Sequence, residues 1–156
     1  MLKTVKQIIS LLEYKKITLS IVESCTGGML SQIITSVSGS SKVFKLGIVT
    51  YSNQSKIKYL RVPSEIIKKY GSVSNQCCQS MLNNLSRVSR SKLNIAITGI
   101  AGPKGGSKLK PVGLVYIGIK NKKKTIIKKY LFKNNSRENI RKNSVKKSLE
   151  LIKSFI

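Results

Sequence analysis

A serine in a glycine-rich turn and a lysine farther along the chain are the side chains best suited to covalent chemistry. Ser24 belongs to the segment Glu23–Gly28, and Lys56 ends the segment Thr50–Lys56. A neutral lysine can remove the proton of a serine hydroxyl, and the serine oxygen can then attack a carbonyl carbon. The two residues are therefore a candidate Ser–Lys catalytic dyad.

The composition of the chain excludes most other ways of activating a nucleophile. The 156 residues include no His, and the 5 acidic residues are all Glu, scattered along the sequence. These facts exclude Ser-His-Asp and Cys-His sites, His-liganded metals and a two-metal carboxylate centre. The sequence also lacks a GxxxxGK[ST] phosphate loop. A serine activated by lysine remains, and we expect neither a metal nor a cofactor.

Both members of this dyad also have simpler interpretations. A Ser/Thr/Gly cluster after a strand often only caps a helix, and a lysine on a short helix is usually solvated. A lysine acts as a base only if burial or nearby positive charge lowers its pKa. The N–H groups from Cys25 to Gly28 could bind an oxyanion or a phosphate at a helix start. Cys25 is a rival nucleophile, but no general acid is evident beside it, and we favour a packing role.

Two further segments could bind an anion. The glycine-rich loop 98–106 is followed by Lys108 and Lys110, and its backbone N–H groups could form an anion-binding nest. A flexible crossover loop is the alternative. Arg137 and Arg141 lie four residues apart on a predicted helix, so they share a face and could hold a phosphate. Tyr51 could relay a proton or stack on an aromatic ring.

The pattern of apolar and turn-forming residues predicts a mixed α/β sheet with helices on both faces, in one domain over residues 1–156. Strands are predicted at 17–22, 46–51, 93–98, 112–119 and 125–132, and a loop at 38–41. The predicted helices are one ending at about Lys15, one at 29–37, a short one capped by Ser52 and carrying Lys56, one at 64–70 after Pro63, one from Ser74 to about Val88, and one after Ser136.

The net charge of +25 is the most conspicuous property of the composition. Such a charge is typical of nucleic-acid-binding proteins. However, Ile, Asn, Ser and Tyr are also abundant and Trp is absent, a joint bias that an AT-rich coding sequence produces. The lysines are spread along the chain, so we expect only non-specific nucleic-acid binding. No apolar run is long enough to span a membrane and no signal peptide is recognisable, which predicts a cytoplasmic protein with reduced thiols.

Six motifs in one order give the chain a family resemblance. They are Glu23–Gly28, Ser38–Ser41 followed by Phe44, Gly47–Asn53 followed by Lys56, Tyr70–Ser74, Thr98–Pro103 and Lys110–Gly113. Over about residues 5 to 155 this order resembles the CinA C-terminal domain family, the PncC-type nicotinamide-nucleotide amidohydrolases. Lys104, directly after the fifth motif, departs from the family pattern and adds charge there.

The resemblance implies a three-layer α/β/α sandwich that hydrolyses nicotinamide mononucleotide to nicotinic acid mononucleotide and ammonia, without a metal, as a homodimer. It implies Ser24 as nucleophile, Lys56 as base and Tyr51 as a third catalytic group, with Ser41 as the alternative nucleophile. The substrate-binding residues that it implies are Thr26, Gly27, Gly28, Ser41, Asn53, Thr98, Gly99, Gly102, Lys110, Arg137 and Arg141. The alternative functions are a catalytically inactive nucleotide- or nucleic-acid-binding module and an amidase for another amide.

Overall fold

A five-stranded mixed sheet with helices on both faces forms the fold. The computed structural model describes residues 1–133 and 136–156. The elements in chain order are α1 (Leu2–Tyr14), β1 (Leu19–Glu23), α2 (Met29–Thr35), α3 (Ser40–Val43), β2 (Phe44–Val49), α4 (Asn53–Lys58), α5 (Ser64–Tyr70), α6 (Asn75–Ser89), β3 (Leu93–Gly99), β4 (Leu114–Lys120), β5 (Thr125–Leu131) and α7 (Arg137–Phe155).

The strand order is β2-β1-β3-β4-β5. β1 pairs parallel with β2 and with β3, whereas β3–β4 and β4–β5 are antiparallel. The parallel strands therefore end at the same edge of the sheet. Because Glu23 lies opposite Val49 in the register, the segments that follow β1 and β2 are brought side by side. Ligands commonly bind at this edge of open α/β sheets.

Alternate side chains of the central strands enter two separate cores. On β1, Ile21 packs with α1, α2 and α7, whereas Val22 packs with α6 on the other face. On β3, Ile95 and Ile97 face the first core and Ala96 faces the second. Successive side chains of a strand point to opposite faces, and buried strands therefore need apolar residues at nearly every position. The three-layer prediction is confirmed.

The local sequence signals predicted several element ends correctly. The helix after Pro63 spans Ser64–Tyr70, and Ser52, Ser74 and Ser136 each cap a helix through a side-chain oxygen. These ends are decided by short-range capping chemistry, which a sequence displays directly.

Some predicted boundaries are wrong. The predicted loop 38–41 contains the start of the short helix α3, and β2 covers Phe44–Val49 instead of 46–51. β2 ends early because its partner β1 ends at Glu23: the Glu23 carbonyl accepts a hydrogen bond from the Thr50 N–H, and beyond it the chain turns toward the cap of α4. β4 begins at Leu114 instead of 112 because Gly113, at φ 92, belongs to the preceding turn.

None of the helices in the described part of the chain is long and apolar enough to cross a membrane.

Candidate active site

Ser24 and Lys56 are in direct contact at the carboxyl edge of the parallel strands. Lys56 Nζ donates a hydrogen bond of 2.9 Å to Ser24 Oγ and one of 2.8 Å to the Thr50 carbonyl. Lys56 is only 2% exposed, so an amine that normally lies in water is enclosed by protein. Direct contact between a serine hydroxyl and a buried lysine amine is the arrangement that a Ser–Lys base mechanism requires.

Each member of the pair is positioned by its local backbone. Ser24 follows β1 directly, and its N–H donates to the Ile97 carbonyl of β3 at 3.0 Å. Lys56 lies on α4, whose start is held by a capping box: Ser52 and Ser55 each accept a hydrogen bond from the other's backbone N–H. The capping box sets the direction of α4, and the Lys56 side chain consequently extends into the protein toward β1.

Burial lowers the pKa of Lys56 below the ordinary lysine value. The nearby Cys77 and Cys25 thiols act in the opposite direction, but their effect is smaller. The amine of Lys56 therefore loses its proton at a lower pH than an exposed lysine, as a general base must.

The turn after Ser24 depends on two glycines with left-handed backbone conformations. Gly27 has φ 59 and Gly28 has φ 91, a region that other residues enter at a cost. Gly27 donates its N–H to the Ser24 carbonyl. Within the described residues, the N–H groups of Cys25, Thr26 and Gly28 have no backbone acceptor, and Cys25, directly after Ser24, is the candidate oxyanion donor of this turn.

Glu23 ties this turn to the helix that follows it. Its buried carboxylate accepts hydrogen bonds from the backbone N–H groups of Leu30 and Ser31 at 3.0 and 2.8 Å, and from Ser31 Oγ at 2.7 Å. The first turn of a helix has N–H groups without internal partners. Glu23 satisfies two of these N–H groups in α2. It therefore connects the end of β1, directly before Ser24, to the helix that follows the turn.

We expect Glu23→Gln to destabilise the protein by about 2 to 3 kcal/mol, because an amide nitrogen would replace one acceptor oxygen beside these donors. Urea unfolding followed by circular dichroism measures the change. Glu13→Gln is the matched control, since Glu13 is exposed in a surface ion pair with Lys42, and its effect should stay within about 0.5 kcal/mol. Equal unfolding midpoints for Glu23→Gln and wild type would contradict the role of Glu23.

A cavity of about 410 Å³ opens above Ser24. Ser24, Cys25 and Gly99 lie in its wall, together with the loop of residues 71–73 and part of the loop of residues 100–107. A Cβ at Gly99 would lie 2.9 Å from the Leu114 carbonyl oxygen and 3.1 Å from Cys25 Sγ, so this position requires glycine. Among the described residues that line the cavity, no side chain is acidic, whereas Lys104, Lys110 and Arg137 are cationic.

Arg137 connects three segments at the cavity wall. From the start of α7, it donates to the Gly102 carbonyl at 2.6 Å and to the Tyr51 hydroxyl at 2.7 Å. The Tyr51 hydroxyl is thus bonded to Arg137, not to the Ser24–Lys56 pair. Lys110 Nζ donates to the Tyr70 carbonyl.

Burial raises the pKa of the Cys25 thiol to about 12. Near neutral pH this thiol therefore stays protonated and is a poor nucleophile. This supports the packing role over the nucleophilic one.

Two predicted site residues lie away from the cavity. Ser41 is exposed on α3, just before β2 begins, and consequently lies at the amino edge of the sheet, opposite Ser24. Asn53 is exposed at the start of α4 and does not line the cavity. We predicted that Ser41 and Asn53 line the same pocket as Ser24, and in this structure they do not.

Some of the other predicted site residues line the cavity, and others make hydrogen bonds next to it. Arg141 donates to the Thr26 carbonyl at 2.9 Å and does not line the cavity, so Arg137 and Arg141 do not form the predicted joint phosphate clamp. Thr98 is buried, and its hydroxyl donates to the Ser72 carbonyl at 2.7 Å. Thr26, Gly27 and Gly28 shape the turn but do not line the cavity, whereas Gly99, Gly102 and Lys110 do.

The loop Gly71, Ser72 and Val73 lines the cavity and was not predicted as part of the site. The signal in the sequence was a Gly-Ser segment between two helices. Ser74 caps α6 by accepting a hydrogen bond from the Cys77 N–H, which forces the residues before it out of the helix. Thr98 then ties this loop to the end of β3.

Nothing in the described residues resembles a metal centre: no group of three or more Cys or Glu side chains is close enough to hold an ion.

Comparison with known proteins places the whole chain in one group. Residues 2–156 match the family model described as "CinA C-terminal domain". A putative competence-damage inducible protein of Thermoanaerobacter pseudethanolicus is 42% identical over 149 residues, which is 96% of this chain and 36% of that protein. A CinA-like protein of Endomicrobium trichonymphae is 48% identical over 92% of this chain and 33% of its own length. The chain thus spans about a third of the curated relatives that it matches.

Solved structures show the same fold. The competence/damage inducible protein from Agrobacterium tumefaciens superposes with a TM-score of 0.95 and 34% identity, covering 98% of this chain and 93% of that one. A competence damage-inducible protein from Klebsiella pneumoniae gives a TM-score of 0.92 and 26% identity over 97% and 93% of the two chains. These titles name no reaction and no substrate.

Proposed function

The chain belongs to the CinA C-terminal domain family, and from this premise we propose that it is an amidohydrolase that converts nicotinamide mononucleotide to nicotinic acid mononucleotide and ammonia. The observation that carries the proposal is the 2.9 Å hydrogen bond between buried Lys56 Nζ and Ser24 Oγ. A serine and a lysine in this contact can perform acyl transfer without histidine, aspartate or a metal. The choice of substrate rests on the resemblance of the sequence motifs to the family.

The proposed reaction has two chemical halves. Neutral Lys56 takes the proton of Ser24, and Ser24 Oγ attacks the carboxamide carbon to form a tetrahedral intermediate. The N–H group of Cys25, which lines the cavity directly after Ser24, is the candidate donor to its oxyanion. Lys56 returns the proton to the departing nitrogen and ammonia leaves. Lys56 then activates a water molecule, which hydrolyses the acyl-enzyme and releases the carboxylate product.

The shape and charge of the cavity support a nucleotide substrate. A volume of about 410 Å³ lies in the ordinary range for small-molecule sites. The cationic side chains of Lys104, Lys110 and Arg137 suit a phosphate group. Tyr51 lines the cavity and is 58% exposed, and an aromatic ring at this place suits contact with a pyridinium cation.

Ammonia release by the purified chain in the presence of a chelator tests the proposal. We expect release from nicotinamide mononucleotide, with nicotinic acid mononucleotide identified by mass spectrometry. Nicotinamide riboside is the matched substrate, because it lacks only the phosphate; we expect its kcat/KM to be lower by about tenfold or more. Activity on other amides alone would contradict the substrate assignment. Inactivity on every amide would contradict the enzyme assignment.

A further inference from the structure

The amino edge of the parallel strands, opposite the Ser24 cavity, carries a group of exposed lysines beside two aromatic rings. We call this group the basal patch; its rings are Tyr14 and Phe155, and its lysines are Lys15, Lys16, Lys92, Lys122, Lys123 and Lys124. All six lysines are exposed. The proposed amidohydrolase reaction uses none of these residues.

The fold brings the basal patch together from four distant parts of the chain. α1 ends just before Lys15, β3 begins just after Lys92, and the turn between β4 and β5 contains Lys122–Lys124. Lys92 Nζ donates to the Lys16 carbonyl at 2.7 Å. Lys124 Nζ lies 5.9 Å from the centre of the Phe155 ring at the end of α7, and Lys15 Nζ donates to the main-chain oxygen of Ile156. The patch is therefore one continuous surface.

No side-chain carboxylate forms an ion pair with a lysine of the basal patch within the described part of the chain. Ion pairs there join Glu13 to Lys42, Glu138 to Lys142 and Glu150 to Lys147, and none includes a patch lysine. Lysines gathered without carboxylates repel one another and attract anions. A polyanion that contacts several of them at once would relieve this repulsion and release its own counterions.

Two hollows follow the patch on either side of the β4–β5 turn. One, of about 240 Å³, has Ile17, Leu93 and Phe155 in its wall and Lys92, Lys122 and Lys123 around it. The other, of about 300 Å³, has Lys122–Lys124 in its lining together with Ser86 and Asn94. Tyr14 stands 84% exposed next to Lys15 in the sequence. Flat rings beside rows of cations are what unstacked bases and their phosphates require.

We propose that the basal patch binds single-stranded nucleic acid, with phosphates on the lysines and bases against Tyr14 and the hollow beside Phe155. An anionic membrane surface also attracts clustered lysines, but it offers no flat bases to contact Tyr14 or to occupy the hollow beside Phe155. A duplex keeps its bases stacked inside and offers nothing to the two rings. The binding does not depend on the chemistry at Ser24, because the two surfaces lie at opposite edges of the sheet.

Fluorescence anisotropy with a labelled single-stranded oligothymidylate of about 20 nucleotides tests this proposal. The test variant is K122Q/K123Q/K124Q, and the matched control is K6Q/K68Q/K69Q, which removes three exposed charges elsewhere. In about 0.1 M salt we expect the patch variant to bind at least about tenfold more weakly, and its salt slope to fall by about 2. The control should change the affinity by no more than about threefold.

Tyr14→Leu separates stacking from charge, since it removes a ring and no lysine. We expect about fivefold weaker binding of the single strand and no change for a duplex of matched length. Equal losses from the two triple variants would overturn the proposal, because only total charge would then matter. Binding to phosphatidylglycerol vesicles without binding to the oligonucleotide would also overturn it. Ammonia release by K122Q/K123Q/K124Q, measured in parallel, reports on the Ser24 site separately.

Discussion

Replacing Ser24 by alanine should reduce ammonia release from nicotinamide mononucleotide by at least about a thousandfold, because among the described residues Ser24 is the cavity-lining hydroxyl that contacts the buried Lys56 amine. Cys25 is the adjacent candidate, but burial raises the pKa of its thiol to about 12. The effect should be on kcat, since the cationic wall that suits the phosphate is unchanged. Steady-state rates over a range of substrate concentrations measure both constants.

Ser41→Ala is the decisive comparison for this result. Ser41 is exposed on α3 at the opposite edge of the sheet, so its replacement should leave kcat within about twofold of wild type. Loss of ammonia release in Ser41→Ala, with activity retained in Ser24→Ala, would show that the nucleophile is misassigned. Loss of ammonia release in both variants would mean that Ser41 acts on the site in a way that its position within this chain does not explain.

Replacing Lys56 by methionine should remove activity to a similar extent, because the base and the proton donor to the leaving nitrogen are lost together. Methionine retains an unbranched side chain of comparable length in a buried position, so the core can remain packed. Lys58→Met is the matched control: Lys58 lies on the same helix, is exposed, and should tolerate the change. Comparable losses in both variants would contradict a special role for Lys56.

The pH dependence of the same variants tests the protonation of Lys56. Only the neutral amine accepts the serine proton, so kcat/KM of the wild type should rise with pH up to the pKa of Lys56. Burial lowers that pKa, so the rise should finish below the range where an exposed lysine titrates. A rate that falls across this range would contradict a lysine base.

The free energy of unfolding should depend on the same protonation of Lys56. The pKa of Lys56 is lowered in the folded state, so between that value and about 10.4, the unfolded value, the unfolded chain binds one proton more. The contribution of Lys56 to the free energy of unfolding therefore rises with pH in this window. Below the pKa of the folded state, burial of the charged amine destabilises the protein to the full extent. Urea unfolding at several pH values should show wild type gaining stability relative to Lys56→Met as pH rises. Parallel curves would mean that Lys56 titrates normally.

Much of the fold was predictable because its signals are local. Ser52, Pro63 and Ser74 mark helix starts through capping and backbone restriction, and short apolar, β-branched runs mark the strands. The predicted boundaries failed where pairing between distant segments decides the result. β2 ends at Val49 because its partner β1 ends at Glu23, directly opposite, a pairing that neither segment reveals alone.

The candidate site likewise has features that the sequence predicts and features that only contacts between distant segments decide. The composition by itself narrowed the possible chemistry: without His and Asp, and with five scattered Glu, lysine was the favoured base for a serine. The tertiary structure decided which side chains meet, because parallel pairing of β1 with β2 places the ends of both strands at one edge and the start of β2 at the other. Lys56 thereby reaches Ser24, whereas Ser41 lies away from it. Only the folded packing encloses the Lys56 amine, and that burial is what lowers its pKa.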